Sequence, residues 1–296
     1  MKIFFKTLVF VFLSSVLWAQ GFNDETMEGT LEGQSLFQEG LFSSSVIDYL
    51  PDSYSTGGEI PTKRIALYIG RGTWGVGKAQ FKKFLKQNQY SYEVITARQI
   101  LDGKLNLKNF DILIMPGGKS WKYLEELGSQ GTKEIKKFVA DGGGYFGICA
   151  GAYFAVSQRY GPSDKPLDYG IGLLEGVAVD GTALNISPFH GGMMSIDTYY
   201  PQFKSRYEVL MLGGPSFEYS ESEMQKKNIQ VLGSINPIHT PTMIFFNYGK
   251  GKVFLSGPHM EVEESKSIVG LRYKDPDSEW PLVDYLLKKL SSFEFL

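Results

Sequence analysis

The chain has 296 residues, of which 43% are apolar and 21% charged, and its formal net charge at neutral pH is −2. This length allows one large or two small domains, and the composition is typical of a globular protein. Nucleic-acid binding requires basic residues clustered on one face, and the sequence shows no such cluster, so we expect no nucleic-acid partner. A single Cys, Cys149, excludes a disulfide within the chain.

The first 19 residues are predicted to be a signal peptide. Lys2 and Lys6 precede an apolar run that opens at Leu8 and ends near Trp18, with Ala19 as a plausible cleavage residue. The run is too short to span a bilayer comfortably. We therefore expect a secreted or periplasmic protein without stable membrane insertion after cleavage; the alternative is an uncleaved anchor.

Residues 20–62 are predicted to form a flexible acidic leader. Between Gly21 and Thr62 there are eight acidic residues and no Lys or Arg, and the apolar residues show poor periodicity. Such a segment offers little apolar surface for a core.

Residues 63–296 are predicted to form one α/β domain with a mostly parallel sheet. Short apolar runs ending in Gly or Pro alternate with segments of helical spacing, which is the pattern of a parallel sheet covered by helices. The strands are expected over 64–70, 92–97, 111–116 and 144–148, and the helices over 75–88, 97–101, 121–127 and 133–140. In such sheets the active site lies at the carboxyl ends of the strands.

The second half of the domain is less regular. Pro and Gly are frequent over 161–236, which indicates an insertion or an antiparallel edge near the pocket, with a short strand at 176–179. Residues 242–257 predict a hairpin whose turn is Gly-Lys-Gly. An amphipathic helix is expected to close the chain over 280–290.

The most informative stretch is Gly147-Ile148-Cys149-Ala150-Gly151. It has the pattern of a nucleophile elbow, in which a strand turns sharply into a helix and the nucleophile occupies the apex. The helix N-terminus would favour a thiolate. An unpaired Cys in an exported protein indicates an intermolecular bridge or a reactive group, and the elbow pattern favours the reactive group. The alternative is a Gly-rich turn with a buried, inert Cys.

A Cys nucleophile needs a base and a group that orients the base. His259 follows the second hairpin strand, and Glu261 comes two residues later, so the carboxylate could hold the imidazole. The alternative is a surface loop. His190 precedes Gly191 and Gly192 in a loop that could approach a ligand or be an ordinary loop, whereas His239 favours a structural role.

An oxyanion requires N–H donors about 3 Å from the developing charge. The N–H of Ala150 opens the helix after the elbow, and Gly118, after Gly117 at the end of the preceding strand, could supply the second donor. The alternative is a plain strand-to-helix turn at Gly117 and Gly118.

Together these residues resemble the class I glutamine amidotransferase-like superfamily, and within it the N-terminal domain of biotin–protein ligases and its stand-alone relatives. The resemblance covers about residues 63–290 and rests on 116–118, on 147–153, on the Gly191-Gly192 loop and on 257–261. It implies a flavodoxin-like three-layer sandwich with Cys149 as nucleophile, His259 as base and Glu261 as its partner. It also places Tyr153, with the two Gly-rich loops and His190, in the oxyanion or substrate-binding set.

The resemblance does not imply every activity of the family. No region resembles a ligase module, so biotin ligation is not expected, and the residue after the Cys is Ala150 rather than the His of the peptidase branch. The favoured hypothesis is a secreted thiol-dependent hydrolase or amidotransferase-like protein that acts on a small amide or peptide, without cofactor or metal. The alternatives are a non-catalytic binding module and an amidotransferase subunit with a partner.

Overall fold

The computed structural model describes residues 53–54, 64–160, 165–180, 192–201, 203–266 and 272–291. The predicted signal peptide and all of the predicted leader except Ser53 and Tyr54 lie outside these residues. Ser53–Tyr54 (β1) pairs antiparallel with an edge strand of the main sheet, so this part of the predicted leader contributes to the fold.

The centre of the fold is a parallel block within a ten-stranded sheet. Its strands run in the order β3-β2-β4-β5-β14, with every neighbouring pair parallel. Their bounds are Arg64–Tyr68 (β2), Ser91–Ile95 (β3), Ile112–Met115 (β4), Gly144–Ile148 (β5) and Gly251–Ser256 (β14). The apolar sequences of β2, β4, β5 and β14 follow from burial on both faces, as in other helix-covered parallel sheets.

Helices cover both faces of this block and make the predicted three-layer sandwich. One face packs against α1 and α6, through residues such as Phe81 and Leu286. The other packs against α2, α3 and α4, through residues such as Ile100, Ile135 and Phe154. The bounds are Gly75–Gln87 (α1), Ala97–Leu101 (α2), Ser120–Asp141 (α3), Ala150–Ala155 (α4) and Trp280–Leu290 (α6).

The α/β prediction is confirmed, and the structure adds an antiparallel half to the sheet. The order continues β14-β13-β12-β9-β10, with all neighbours antiparallel. These strands are Gly192–Thr198 (β9), Arg206–Met211 (β10), Gln230–Ile235 (β12) and Thr240–Tyr248 (β13). The predicted hairpin is therefore β13–β14, and it joins the two halves.

The described residues also form two smaller sheets. A four-stranded sheet has the order β11-β8-β6-β7, and β15 pairs with β16. Their bounds are Val156–Tyr160 (β6), Pro166–Asp168 (β7), Leu174–Val179 (β8), Ser216–Tyr219 (β11), Glu264–Lys266 (β15) and Arg272–Lys274 (β16), with a short helix at Glu221–Lys227 (α5). The irregular region thus contains the expected antiparallel edge.

The two helices predicted over 121–127 and 133–140 are continuous apart from a kink. Gly128 has φ 56° and ψ −168° inside α3, a left-handed backbone that only Gly adopts without strain. Among the described residues, no helix is both long and apolar enough to cross a membrane.

Candidate functional site

Cys149 occupies the sharp turn between β5 and α4. Its backbone has φ 50° and ψ −105°, a strained conformation for a residue with a Cβ. The Cys149 N–H donates to the Ser256 carbonyl of β14 at 2.8 Å. The neighbouring strand therefore helps to hold the strained residue in place.

The two glycines of the elbow motif are needed for space. A Cβ on Gly151 would lie 2.0 Å from the Met115 carbonyl oxygen, and one on Gly147 would lie 2.7 Å from the Tyr145 ring. The Tyr145 hydroxyl donates to the Gly151 carbonyl at 2.7 Å. This arrangement has the strand–turn–helix context expected of a nucleophile elbow.

His259 and Glu261 form a buried pair directly after β14. His259 Nδ1 lies 2.9 Å from Glu261 Oε1, and the two side chains are 1% and 0% exposed. The backbone is also fixed, because the His259 N–H donates to the Leu210 carbonyl at 2.7 Å and the Trp280 indole N–H donates to the Glu261 carbonyl at 3.1 Å. With Nδ1 occupied, the Nε2 atom is left to face the site.

The imidazole and the Cys149 side chain converge on Gly117. A Cβ built on Gly117 would lie 2.4 Å from His259 Cε1, 3.3 Å from His259 Nε2 and 3.4 Å from Cys149 Cβ. On its other side, Cys149 Sγ lies 3.9 Å from the Leu212 carbonyl oxygen. The structure thus brings Cys149, His259 and Glu261 together, with Gly117 leaving the space between them.

The charges around His259 favour its protonated form. Burial alone lowers the pKa of the imidazole, but the negative charges of Glu261 and Cys149 outweigh this effect and raise the pKa to about 10. Such a group carries a proton at neutral pH and can give it up only when the charge beside it changes. A protonated, buried imidazole next to a Cys side chain is an environment in which reactive cysteines are found.

Three residues near this pair escaped the sequence analysis. Trp74 packs edge-on against the His259 ring with centroids 4.8 Å apart. A Cβ on Gly77, in the first turn of α1, would lie 2.9 Å from Glu261 Oε1, so the carboxylate sits against the positive end of that helix. Trp280 holds the Glu261 backbone. Trp74 and Gly77 come soon after the carboxyl end of β2. Because active sites of parallel sheets lie at the carboxyl ends of the strands, this position could have indicated both residues.

The two predicted oxyanion donors, Gly118 and Ala150, follow the neighbouring parallel strands β4 and β5. Gly118 has φ 140°, and a Cβ there would lie 2.0 Å from the Gly72 carbonyl oxygen, so only Gly fits. The N–H groups of Gly118 and Ala150 have no acceptor among the residues that the structure describes. The Tyr123 hydroxyl donates to the Gly117 carbonyl at 3.0 Å, which fixes this turn.

The other predicted residues have mixed outcomes. Tyr153 lies close by, and its hydroxyl donates to the Gly213 carbonyl at 3.3 Å. Gly192 opens β9 opposite Met211, next to Leu212. His190 and Gly191 lie outside the described residues. His239 is 65% exposed, near Asp197, and takes no part in this cluster.

Comparisons with known proteins agree with the sequence resemblance. Residues 64–165 match the family model described as biotin-protein ligase, N terminal. An uncharacterized protein of Chlamydia muridarum is 26% identical over 67% of this chain and 80% of its own length. The biotin–protein ligase of Schizosaccharomyces pombe is 28% identical over 60% of this chain, but the match spans only 30% of that ligase.

Among solved structures, a glutamine amidotransferase from Thermotoga maritima aligns with a TM-score of 0.38 and 11% identity. The alignment covers 69% of this chain and 78% of that protein.

We predict that the His259 ring titrates far above a free imidazole. In an NMR titration of ring-labelled protein, assigned by comparison with His259→Ala, its midpoint should lie near 10. The imidazolium then stabilises the folded state fully below about 6.5, and this contribution is lost as the pH rises through the folded pKa. Cys149→Ala and Glu261→Gln should each lower the midpoint, since each removes a negative charge. A wild-type midpoint near about 6.5 would contradict this electrostatic description.

Proposed function

We propose that this chain, whose residues 64–165 match the biotin-protein ligase N-terminal family model, is a thiol-dependent amide hydrolase. The observation that carries the proposal is the strained, buried Cys149 beside an imidazole that Glu261 holds at 2.9 Å. A Cys with a purely structural role needs neither a strained backbone nor a neighbouring His that a carboxylate holds in place.

In the proposed reaction the Cys149 thiolate attacks the carbonyl carbon of the amide and forms a C–S bond. The negative charge that develops on the carbonyl oxygen is stabilised by the N–H groups of Gly118 and Ala150, which have no acceptor among the described residues. His259 donates its proton to the nitrogen as the C–N bond breaks, and ammonia or an amine leaves.

The second half of the reaction restores the enzyme. The neutral imidazole of His259 takes a proton from water as the water attacks the thioester carbonyl. The C–S bond then breaks, the acid leaves, and the thiolate–imidazolium pair is restored. Glu261 accepts the hydrogen bond of the His259 Nδ1 atom throughout, so its role is to orient and stabilise the ring.

The limited space at the thiol favours a slender substrate. Cys149 is only 6% exposed, and the Leu212 carbonyl faces its sulfur at 3.9 Å. That carbonyl could accept a hydrogen bond from the NH₂ of a primary amide. We therefore propose that the preferred substrate is an unbranched side-chain amide of the glutamine type rather than a bulky peptide bond.

A second candidate is a binding module that keeps the same pocket without turnover. The low exposure of Cys149, whose sulfur faces the Leu212 carbonyl, favours it. The two candidates differ in one chemical respect, because only a hydrolase forms and breaks a thioester.

We predict that purified protein releases ammonia or amine from at least one member of a panel of small primary amides and short peptides. Cys149→Ala should abolish this activity. His259→Ala should lower kcat/KM by about 10²- to 10⁴-fold, the usual contribution of a general acid–base. His239→Ala is the matched control, since this exposed His lies away from the site, and it should retain full activity. Wild-type rates no higher than those of Cys149→Ala across the panel would favour the binding module.

We also propose that the protein is exported, on the basis of Lys2, Lys6 and the apolar run that follows them. Amino-terminal sequencing of protein recovered outside the cytoplasm should begin near Gln20. Recovery of the same material with Met1 intact would contradict cleavage.

A further inference from the structure

Three acidic side chains converge in the loop between β16 and α6, outside the thiol site. Asp275, Asp277 and Glu279 each offer one carboxylate oxygen, and these oxygens all lie within 4.8 Å of one another. The residues alternate along the chain, so their side chains can point to one centre. The first ligands of a calcium-binding EF-hand loop have the same spacing.

A second observation comes from Glu279 itself. This residue is only 1% exposed, and in the described part of the chain neither of its buried carboxylate oxygens has an N–H or hydroxyl donor. The Asp275 carboxyl lies within reach, and the two groups can hydrogen-bond to each other only if one of them carries a proton. Oδ2 of Asp275 is also buried without an N–H or hydroxyl donor among the described residues. A buried carboxylate without a partner costs several kcal/mol, so the cluster needs either a proton or a cation.

The protein side chains supply only part of the compensating charge. Lys204 Nζ lies 3.2 Å from Asp277 Oδ2 and is 59% exposed. No ion pair reaches Asp275 or Glu279 from the residues that the structure describes. In the described part of the chain, Lys204 is therefore the one side chain that forms an ion pair with these three carboxylates, and its ammonium is partly solvated.

We propose that Asp275, Asp277 and Glu279 bind a divalent cation, with Ca²⁺ as the preferred ion. The donors are all carboxylate oxygens, which select hard cations over zinc or copper. Their mutual distances suit a cation that keeps each oxygen at about 2.3–2.6 Å. Glu279 supplies two oxygens, Asp275 and Asp277 one each, and water completes the shell.

The cation would brace the segment that carries the Cys149 partners. Ser278 donates to Glu263 Oε1 at 2.6 Å, and the Asp275 N–H donates to the Glu263 carbonyl at 2.9 Å. Trp280, the next residue after Glu279, holds the Glu261 carbonyl. Binding at this loop therefore stabilises the position of Glu261 without contact between the cation and the thiol.

The test uses the full-length protein, freed of metal and titrated with Tb³⁺ and Ca²⁺. Tb³⁺ should show luminescence sensitised by Trp280, saturating at one equivalent, and Ca²⁺ should displace it with an apparent Kd of about 1 mM or tighter. Ca²⁺ should also raise the Tm, because it binds the folded state. Glu279→Gln should weaken Tb³⁺ and Ca²⁺ binding by about tenfold or more, and Asp275→Asn provides a second variant should the first fail to fold.

Glu221→Gln is the matched control, since Glu221 is an exposed acidic residue at the start of another helix, and it should bind as wild type does. The proposal is overturned if neither calorimetry nor luminescence detects saturable binding to wild type up to about 10 mM Ca²⁺. It is also overturned if Glu279→Gln and Asp275→Asn both bind as tightly as wild type. In the first case a shared proton between Asp275 and Glu279 explains the cluster.

Discussion

The parallel pairing of β5 with β14 is the constraint on which the candidate site depends. Ile148 is opposite Ser256 in this register, so both strands end at the same edge of the sheet. Cys149 follows one strand and the segment from Gly257 to Glu261 follows the other. Because the Cys149 N–H donates to the Ser256 carbonyl, the same pairing fixes both the strained nucleophile and the start of the segment that carries His259.

The electrostatics of the site follow from this placement. Three ionisable groups are almost fully buried, and each would be costly alone. Placed together, the positive imidazole lies between the Glu261 carboxylate and the Cys149 sulfur, and its raised pKa reflects this compensation. The carboxylate also lies against the first turn of α1, near Gly77. Loss of His259 would therefore leave the buried Glu261 carboxylate without its compensating charge.

Sequence reasoning predicted the parts of the fold that rest on local patterns. The strand Gly144–Ile148 and the helix Trp280–Leu290 have the predicted bounds, because each has strong apolar periodicity and a Gly or Pro at one end. The antiparallel strands β9, β10 and β12 were not predicted individually. Burial does not alternate regularly along β10 and β12, which end in three and four consecutive buried residues, so the period-2 signal is weak. The pairing of β9 with β12 also joins segments that are far apart in the sequence.

The same division holds for the candidate site. The elbow glycines and the spacing of His259 and Glu261 are local features, so the sequence could indicate them. The contacts of Trp74 with the imidazole and of Leu212 with the sulfur depend on tertiary packing. No local pattern distinguishes these residues from ordinary core or loop positions. The acidic cluster before α6 escaped notice for a similar reason, since only burial separates Glu279 from a solvated acidic residue.

The pairing of Cys149 with His259 is tested most directly by the rate of alkylation of the single thiol by iodoacetamide as a function of pH. Because the chain has one Cys, every alkylation event reports on Cys149. We predict rapid alkylation of the wild type near neutral pH and a rate about tenfold or more lower for His259→Ala, since the variant lacks the cation that stabilises the thiolate. Identical rate–pH profiles for the two proteins would contradict the pairing.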